Sequence, residues 1–187
     1  MELNDWYSRG LSAQEYVDSM NKHQEGFIYI YEHFKIPTED EPLFASLRGK
    51  NWRAIILTED WCGDAMLNLP IFLRIAEAGK INTQFLSRDE NIELMDQYLS
   101  NNKARAIPKI IIINEKGKEV LNWGPRAPEL QQFIDDASSS LPSRDNPQFE
   151  EKQKEMFQFV TKAYRDNEDF RFYVYRDLKN KLTSITN

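Results

Sequence analysis

Four consecutive isoleucines, Ile110 to Ile113, most constrain the fold. β-branched side chains suit a pleated surface, and a run apolar at every position leaves no face for water. Lys109 to Asn114 therefore reads as a central strand, buried on both faces. Ala54-Ile55-Ile56-Leu57 has the same character, and Asn82 to Ser87 is a third strand candidate. Glu115-Lys116-Gly117-Lys118 is a turn, and Glu119 to Trp123 is the return strand of a hairpin. Met66 to Ala78 is rich in helix formers but carries Pro70, which points to a kink. Asn91 to Leu99 is a short helix, and Pro128 to Ala137 closes the series. The order β-α-β-α-β-β-α predicts an α/β fold, a mixed central sheet flanked by helices.

The flanks differ from this block. Ser12 with Glu15 forms a capping-box pattern, and Tyr16, Met20, Phe27, Tyr31 and Phe34 fall on one side of a helix. Gly26 weakens that helix and Pro37 ends it. A second helix spans Pro42 to Leu47. Ser138 to Pro147, rich in Ser, Pro, Asp and Asn, is a connector. Met156, Val160 and Tyr164 share a helix face, and the four-residue step Phe170, Val174, Leu178, Leu182 favours helix over the strand propensity of Phe172-Tyr173-Val174-Tyr175. The expected division is residues 1–51 as a helical N-terminal extension packed on the core, 52–139 as the core, and 140–187 as a mostly helical C-terminal extension.

The one cysteine in the 187 residues, Cys62, sits in Trp61-Cys62-Gly63-Asp64-Ala65, between the first strand and the helix that follows. With Pro70 in that helix, Arg105-Ala106-Ile107-Pro108 before the isoleucine strand, and the Gly117 hairpin leading to Gly124, this resembles the thioredoxin-like superfamily over residues about 52 to 139. It is most similar to a divergent bacterial thioredoxin-like group with helical extensions at both ends. Thioredoxins begin with a strand and a helix, whereas this chain reads as helices only before residue 52. The resemblance implies a thioredoxin fold and a redox site with Cys62 as nucleophile. It also implies a cis Ile107–Pro108 bond whose backbone faces Cys62 and pairs with substrate, and Trp61, Gly63 and Asp64 beside the sulfur.

The departures are informative. Ala65 stands at the resolving-cysteine position and Asp64 where thioredoxins have proline. Ile56 replaces their buried carboxylate, and Phe85 and Leu86 occupy the next strand where its lysine partner would be. The second thiol and its acid–base support are missing together, as in a natural single-thiol protein. A Cys→Ala trapping variant would retain the support. The expected activity, short of an enzyme assignment, is thiol–disulfide exchange through a mixed disulfide at Cys62. An external thiol would resolve it, a low-molecular-weight thiol serving as co-substrate and no cofactor being needed. The rival reading is a redox-inactive module that binds proteins through the same fold. Iron–sulfur assembly between two chains ranks third, because the Cys-Gly-Phe-Ser signature of such glutaredoxins is absent. A helix N-terminus lowers a thiol's pKa, whereas Asp64, Glu59 and Asp60 oppose it, so a solvent-presented thiolate of moderate reactivity is expected. Arg88 and Arg105 are the candidate cations.

Hydrophobic residues make up 41% of the chain and the net charge is −6, enough for a core and without a basic stripe for nucleic acid. No stretch reaches membrane-helix length, and Met1 to Gly10 has no apolar core of a signal peptide. With one cysteine this points to a cytoplasmic protein, a monomer or weak dimer, whose partner is a client protein or a small-thiol mixed disulfide. His23 and His33 lie on nearly opposite helix faces and make no metal pair.

Overall fold

The computed structural model describes residues 1–186. Its centre is a four-stranded mixed sheet in the order β2-β1-β3-β4. The strands are β1 (Arg53–Thr58), β2 (Asn82–Ser87), β3 (Lys109–Ile113) and β4 (Glu119–Trp123). β1 runs parallel to β2 and antiparallel to β3, and β4 returns antiparallel to β3. The two apolar runs take the two inner places. Ala54 to Leu57 and Ile110 to Ile113 are fully buried or within 1% of it, as strands without a polar face require. Each such isoleucine contributes about 1.5–3 kcal/mol of apolar burial.

Helix α5 (Gly63–Gly79) crosses between β1 and β2. Pro70 lies inside it and cannot donate a hydrogen bond to the Met66 carbonyl. The short α6 (Ile92–Met95) follows β2, and α7 (Pro128–Ser139) follows β4. The residues after Met95 turn rather than continue the helix, so the expected Asn91–Leu99 element is shorter than its composition suggests.

The N-terminal region contains α1 (Leu3–Tyr7), α2 (Ala13–Ser19), α3 (Gln24–His33) and α4 (Glu41–Leu47). Two expectations change here. The apolar stripe from Tyr16 to Phe34 belongs to two helices, not one. The Ser12–Glu15 capping box forms, but α2 stops at Ser19 and His23 adopts a left-handed φ of 59° before α3. The break is held from a distance: the Asp60 carboxylate accepts hydrogen bonds from the Asn21 and Lys22 amides at 2.8 and 3.2 Å. Gly26 sits in the first turn of α3, where a Cβ would overlap the Met66 sulfur. Nor is the region purely helical. Leu11 makes an antiparallel bridge to Phe85 on β2, with reciprocal amide bonds of 2.9 and 2.8 Å.

The C-terminal region forms α8 (Phe149–Asp166) and α9 (Glu168–Thr186). Its apolar faces join the same core as the sheet: Tyr164, Val174, Leu178 and Leu182 are all at most 1% exposed. Polar ties fix α9 as well. Tyr175 donates to Asp40 at 2.6 Å, Lys179 pairs with the same carboxylate at 3.1 Å, and Asp177 accepts from the Trp123 indole at 2.6 Å. No helix among the described residues is long and apolar enough to cross a membrane.

Candidate functional site

β1 ends at Thr58, and the chain turns through Glu59-Asp60-Trp61 so that Cys62 caps α5. Each acid in this turn is already engaged. Glu59 accepts from the Ser87 hydroxyl at 2.8 Å and the Asp89 amide at 2.9 Å, while Asp60 holds the loop between α2 and α3. Trp61 is 45% exposed, with the Arg88 guanidinium 5.1 Å from its ring centre. Arg88 therefore serves the tryptophan and not the sulfur. Arg105 is also remote in role, paired with Asp96 at 2.6 Å.

The Ile107–Pro108 bond is cis, and the Cys62 thiol donates to the Ile107 carbonyl at 3.5 Å. Sulfur and imide are thus neighbours. The sulfur is not presented to solvent, however. Cys62 is 7% exposed and Ile107 5%, and Pro108 is buried. Burial pushes the Cys62 thiol up to about 12, and the Asp64 carboxylate adds to that rise. The backbone N–H groups of Ala65 and Asp64 in the first turn of α5 and the Arg126 guanidinium work against it, although the sulfur accepts no capping hydrogen bond. The helix-terminus effect is therefore present with the expected sign, but desolvation outweighs it. An exposed, moderately activated thiolate is not what this structure holds.

The Asp64 carboxylate is itself engaged by other side chains. Arg126 grips it bidentately, with Nε–Oδ1 at 2.6 Å and Nη2–Oδ2 at 2.7 Å. The Tyr164 hydroxyl donates to Oδ1 at 2.8 Å. These side chains join α5, the loop before α7, and α8. Burial and the neighbouring carboxylate both raise the Tyr164 phenol, which stays protonated and donating. The loop carrying Arg126 is itself anchored. Asn68 Nδ2 donates to the Pro125 carbonyl at 2.8 Å, and the buried Lys109 amine donates to the Gly124 carbonyl at 3.0 Å. Desolvation lowers the pKa of Lys109. Gly63 lies beneath α8, where an added Cβ would stand 3.3 Å from the Thr161 hydroxyl.

The Asp64–Arg126 pair is largely shielded, with side-chain exposures of 13% and 22%. Removing one partner of such a pair strands the other charge. Arg126→Ala is expected to lower the unfolding free energy by about 3 kcal/mol. Urea denaturation checks this, and the double variant Asp64→Asn/Arg126→Met is expected to recover part of the loss. Equal losses in the single and double variants would show that the carboxylate was never stranded.

Beside Cys62 opens a cleft of ≈ 1170 Å³. Its walls come from the loop between α2 and α3, the turn Trp61 to Asp64, and one face of α8 including Phe157, Thr161 and Arg165. Sequence reasoning located Trp61, Cys62, Gly63, Asp64, Ile107 and Pro108, and the fold brings all six into one neighbourhood. It missed Arg126, Tyr164, Asn68 and Lys109. None has a local signal: Arg126 and Tyr164 meet Asp64 across 62 and 100 positions of chain. Among the described residues, no group of three or more His, Cys, Asp or Glu is placed to hold a metal ion.

Comparison with known proteins agrees with this architecture. The chain is similar over nearly its whole length to two solved structures at low identity. One is an HIV epitope-scaffold, with TM-score 0.67, 14% identity, 98% of this chain and 99% of that chain covered. The other is a protein of unknown function from Pseudomonas aeruginosa, with TM-score 0.61, 15% identity, 95% and 99% covered. Identities this low speak for the fold alone. No curated protein matches the chain. The family model described as Thioredoxin matches residues 10–138, taking in the Leu11 bridge, the Cys62 turn and the Ile107–Pro108 segment, and by that match the chain belongs to the thioredoxin family.

Proposed function

We propose that the protein is a single-thiol thioredoxin-like exchange protein of a thiol-reducing compartment such as the cytoplasm. The observation that carries this reading is the placement of Cys62. It stands at the N-cap position of α5, beside the Ile107 carbonyl and at the wall of an open cleft. In the exchange, Cys62 gives its proton to solvent and the thiolate attacks one sulfur of a disulfide. A mixed disulfide forms, and the other half leaves as a thiolate that takes up a proton. Ala65 offers no second thiol, so an external thiol attacks the mixed disulfide, becomes oxidised, and restores Cys62. The buried resting thiol makes the first step slow at neutral pH.

A specific observation favours the second reading, a redox-inactive binding module: the sulfur is 7% exposed with its pKa raised. The two readings separate in one experiment. The protein is incubated at pH 9 with a disulfide of a small thiol, and intact mass is followed with Cys62→Ser as control. The exchange reading expects a single adduct on Cys62 that a reducing thiol removes repeatedly. Absence of any adduct over hours, with rapid adduct formation on the urea-denatured chain, leaves the binding module as the function.

A further inference from the structure

We propose that α8 acts as a size filter over Cys62, admitting small disulfides through the adjoining cleft and excluding disulfides carried on folded proteins; this rests on the exchange reading above. Three observations converge. The surface that would take an extended polypeptide is closed, since Ile107, Pro108 and Cys62 are all buried. Over the start of α5, next to Cys62, α8 is held by a defined tie, Tyr164 to Asp64 at 2.8 Å, with Arg126 fixing that carboxylate and Thr161 seated against Gly63. And the access that remains is a concave cleft rather than an open face. The ≈ 1170 Å³ cleft is bounded by Met20, Gln24, Met66, Phe157 and Thr161. Small-molecule clefts run to roughly 1,000 Å³, and this one is a little larger, whereas a protein partner needs an open patch of roughly 800 Å². A disulfide of a small thiol reaches the sulfur along this cleft with α8 in place. A protein disulfide reaches it only after α8 leaves α5, so its rate carries the cost of that local opening.

The test uses one reactive group at two sizes. A thiopyridyl disulfide is offered free, or attached to a globular protein that has no other thiol. Thiopyridone release is timed with the full-length protein at pH 9, and each rate is divided by that of the same chain in urea. The free reagent is expected to react on the order of 100-fold faster than the protein-borne one in the folded chain, because the latter waits for a local opening whose free energy lies between zero and that of global unfolding. Tyr164→Phe, checked for native circular dichroism, is expected to narrow that ratio about tenfold, one lost charge-assisted hydrogen bond. A ratio near one in the folded wild type overturns the filter while leaving the exchange function intact. Failure of both reagents to react with the folded chain overturns the exchange function itself. Should Tyr164→Phe not fold, the wild-type ratio alone decides.

Discussion

At pH 7, alkylation of Cys62 in the folded protein is expected to run about a thousandfold slower than alkylation of an ordinary exposed cysteine. The reason is the thiolate fraction. An unperturbed thiol titrates near ~8.5, whereas burial lifts Cys62 to about 12. The rate should therefore keep rising tenfold per pH unit through the range in which a free cysteine levels off. Iodoacetamide labelling between pH 7 and pH 10, read by mass, measures this directly. A plateau near pH 9 would show a solvated thiol and contradict the burial. The same shift affects stability with a definite sign. The native state holds the proton more tightly than the unfolded chain, so the contribution is complete below the unfolded pKa and is lost as pH rises through the folded one. Stability relative to Cys62→Ala is thus expected to fall between about pH 9 and about pH 12, by on the order of 4 kcal/mol at the end of that window.

Gly124→Ala is expected to be the most damaging single methyl in the protein, costing about 3–5 kcal/mol. Two independent penalties act there. Gly124 has φ of +117°, a region that L side chains rarely enter, and an added Cβ would fall onto the carbonyl of Pro108. Backbone cannot rotate away as a flexible side chain would. The neighbours are pinned too: Ile110 pairs with Trp123 in the sheet, and Lys109 donates to the Gly124 carbonyl at 3.0 Å. Any relief must shift Pro108, and Ile107 with it, which disturbs the contact between the Ile107 carbonyl and the Cys62 sulfur. Faster labelling of Cys62 should accompany the loss of stability. Gly49→Ala is the control, because nothing lies within 4 Å of a Cβ at that position. It is expected to be neutral or stabilising by about 0.5 kcal/mol through the unfolded chain. Equal urea midpoints for the two variants would refute the steric account.

Patterns that repeat within a few residues were legible in the sequence. The strands Asn82–Ser87 and Glu119–Trp123 have the ends that composition and turn chemistry assign them. The doubly buried isoleucine strand is central, and the four-residue step from Phe170 to Leu182 became α9 over the competing strand propensity. What escaped was set from far along the chain. The stripe from Tyr16 to Phe34 looks continuous, yet Asp60 ends it by binding two amides almost forty positions earlier. A short bridge such as Leu11 to Phe85 has no periodicity to read. At the candidate site, Cys62, Asp64, Ile107 and Pro108 could be named because a known motif carries them. Their environment could not: the thiol is buried and faces Arg126, 64 positions away, while α8, which begins 87 positions after Cys62, packs on the neighbouring Gly63 and Asp64. Charge followed the same rule. Glu59, Asp60 and Asp64 look like an acidic cluster beside the cysteine, but each is bonded to a different, distant group.

The four tryptophans are unequally placed. Trp6, Trp52 and Trp123 are at most 7% exposed, whereas Trp61, next to the sulfur, is 45% exposed. A water-soluble quencher such as acrylamide will therefore dim one indole and spare three. Since that indole also lines the cleft and stacks beneath Arg88, the protein contains its own optical probe of the neighbourhood of Cys62. Occupancy of the cleft, or movement of α8, can be followed by intrinsic fluorescence without attaching a dye to the lone thiol under study.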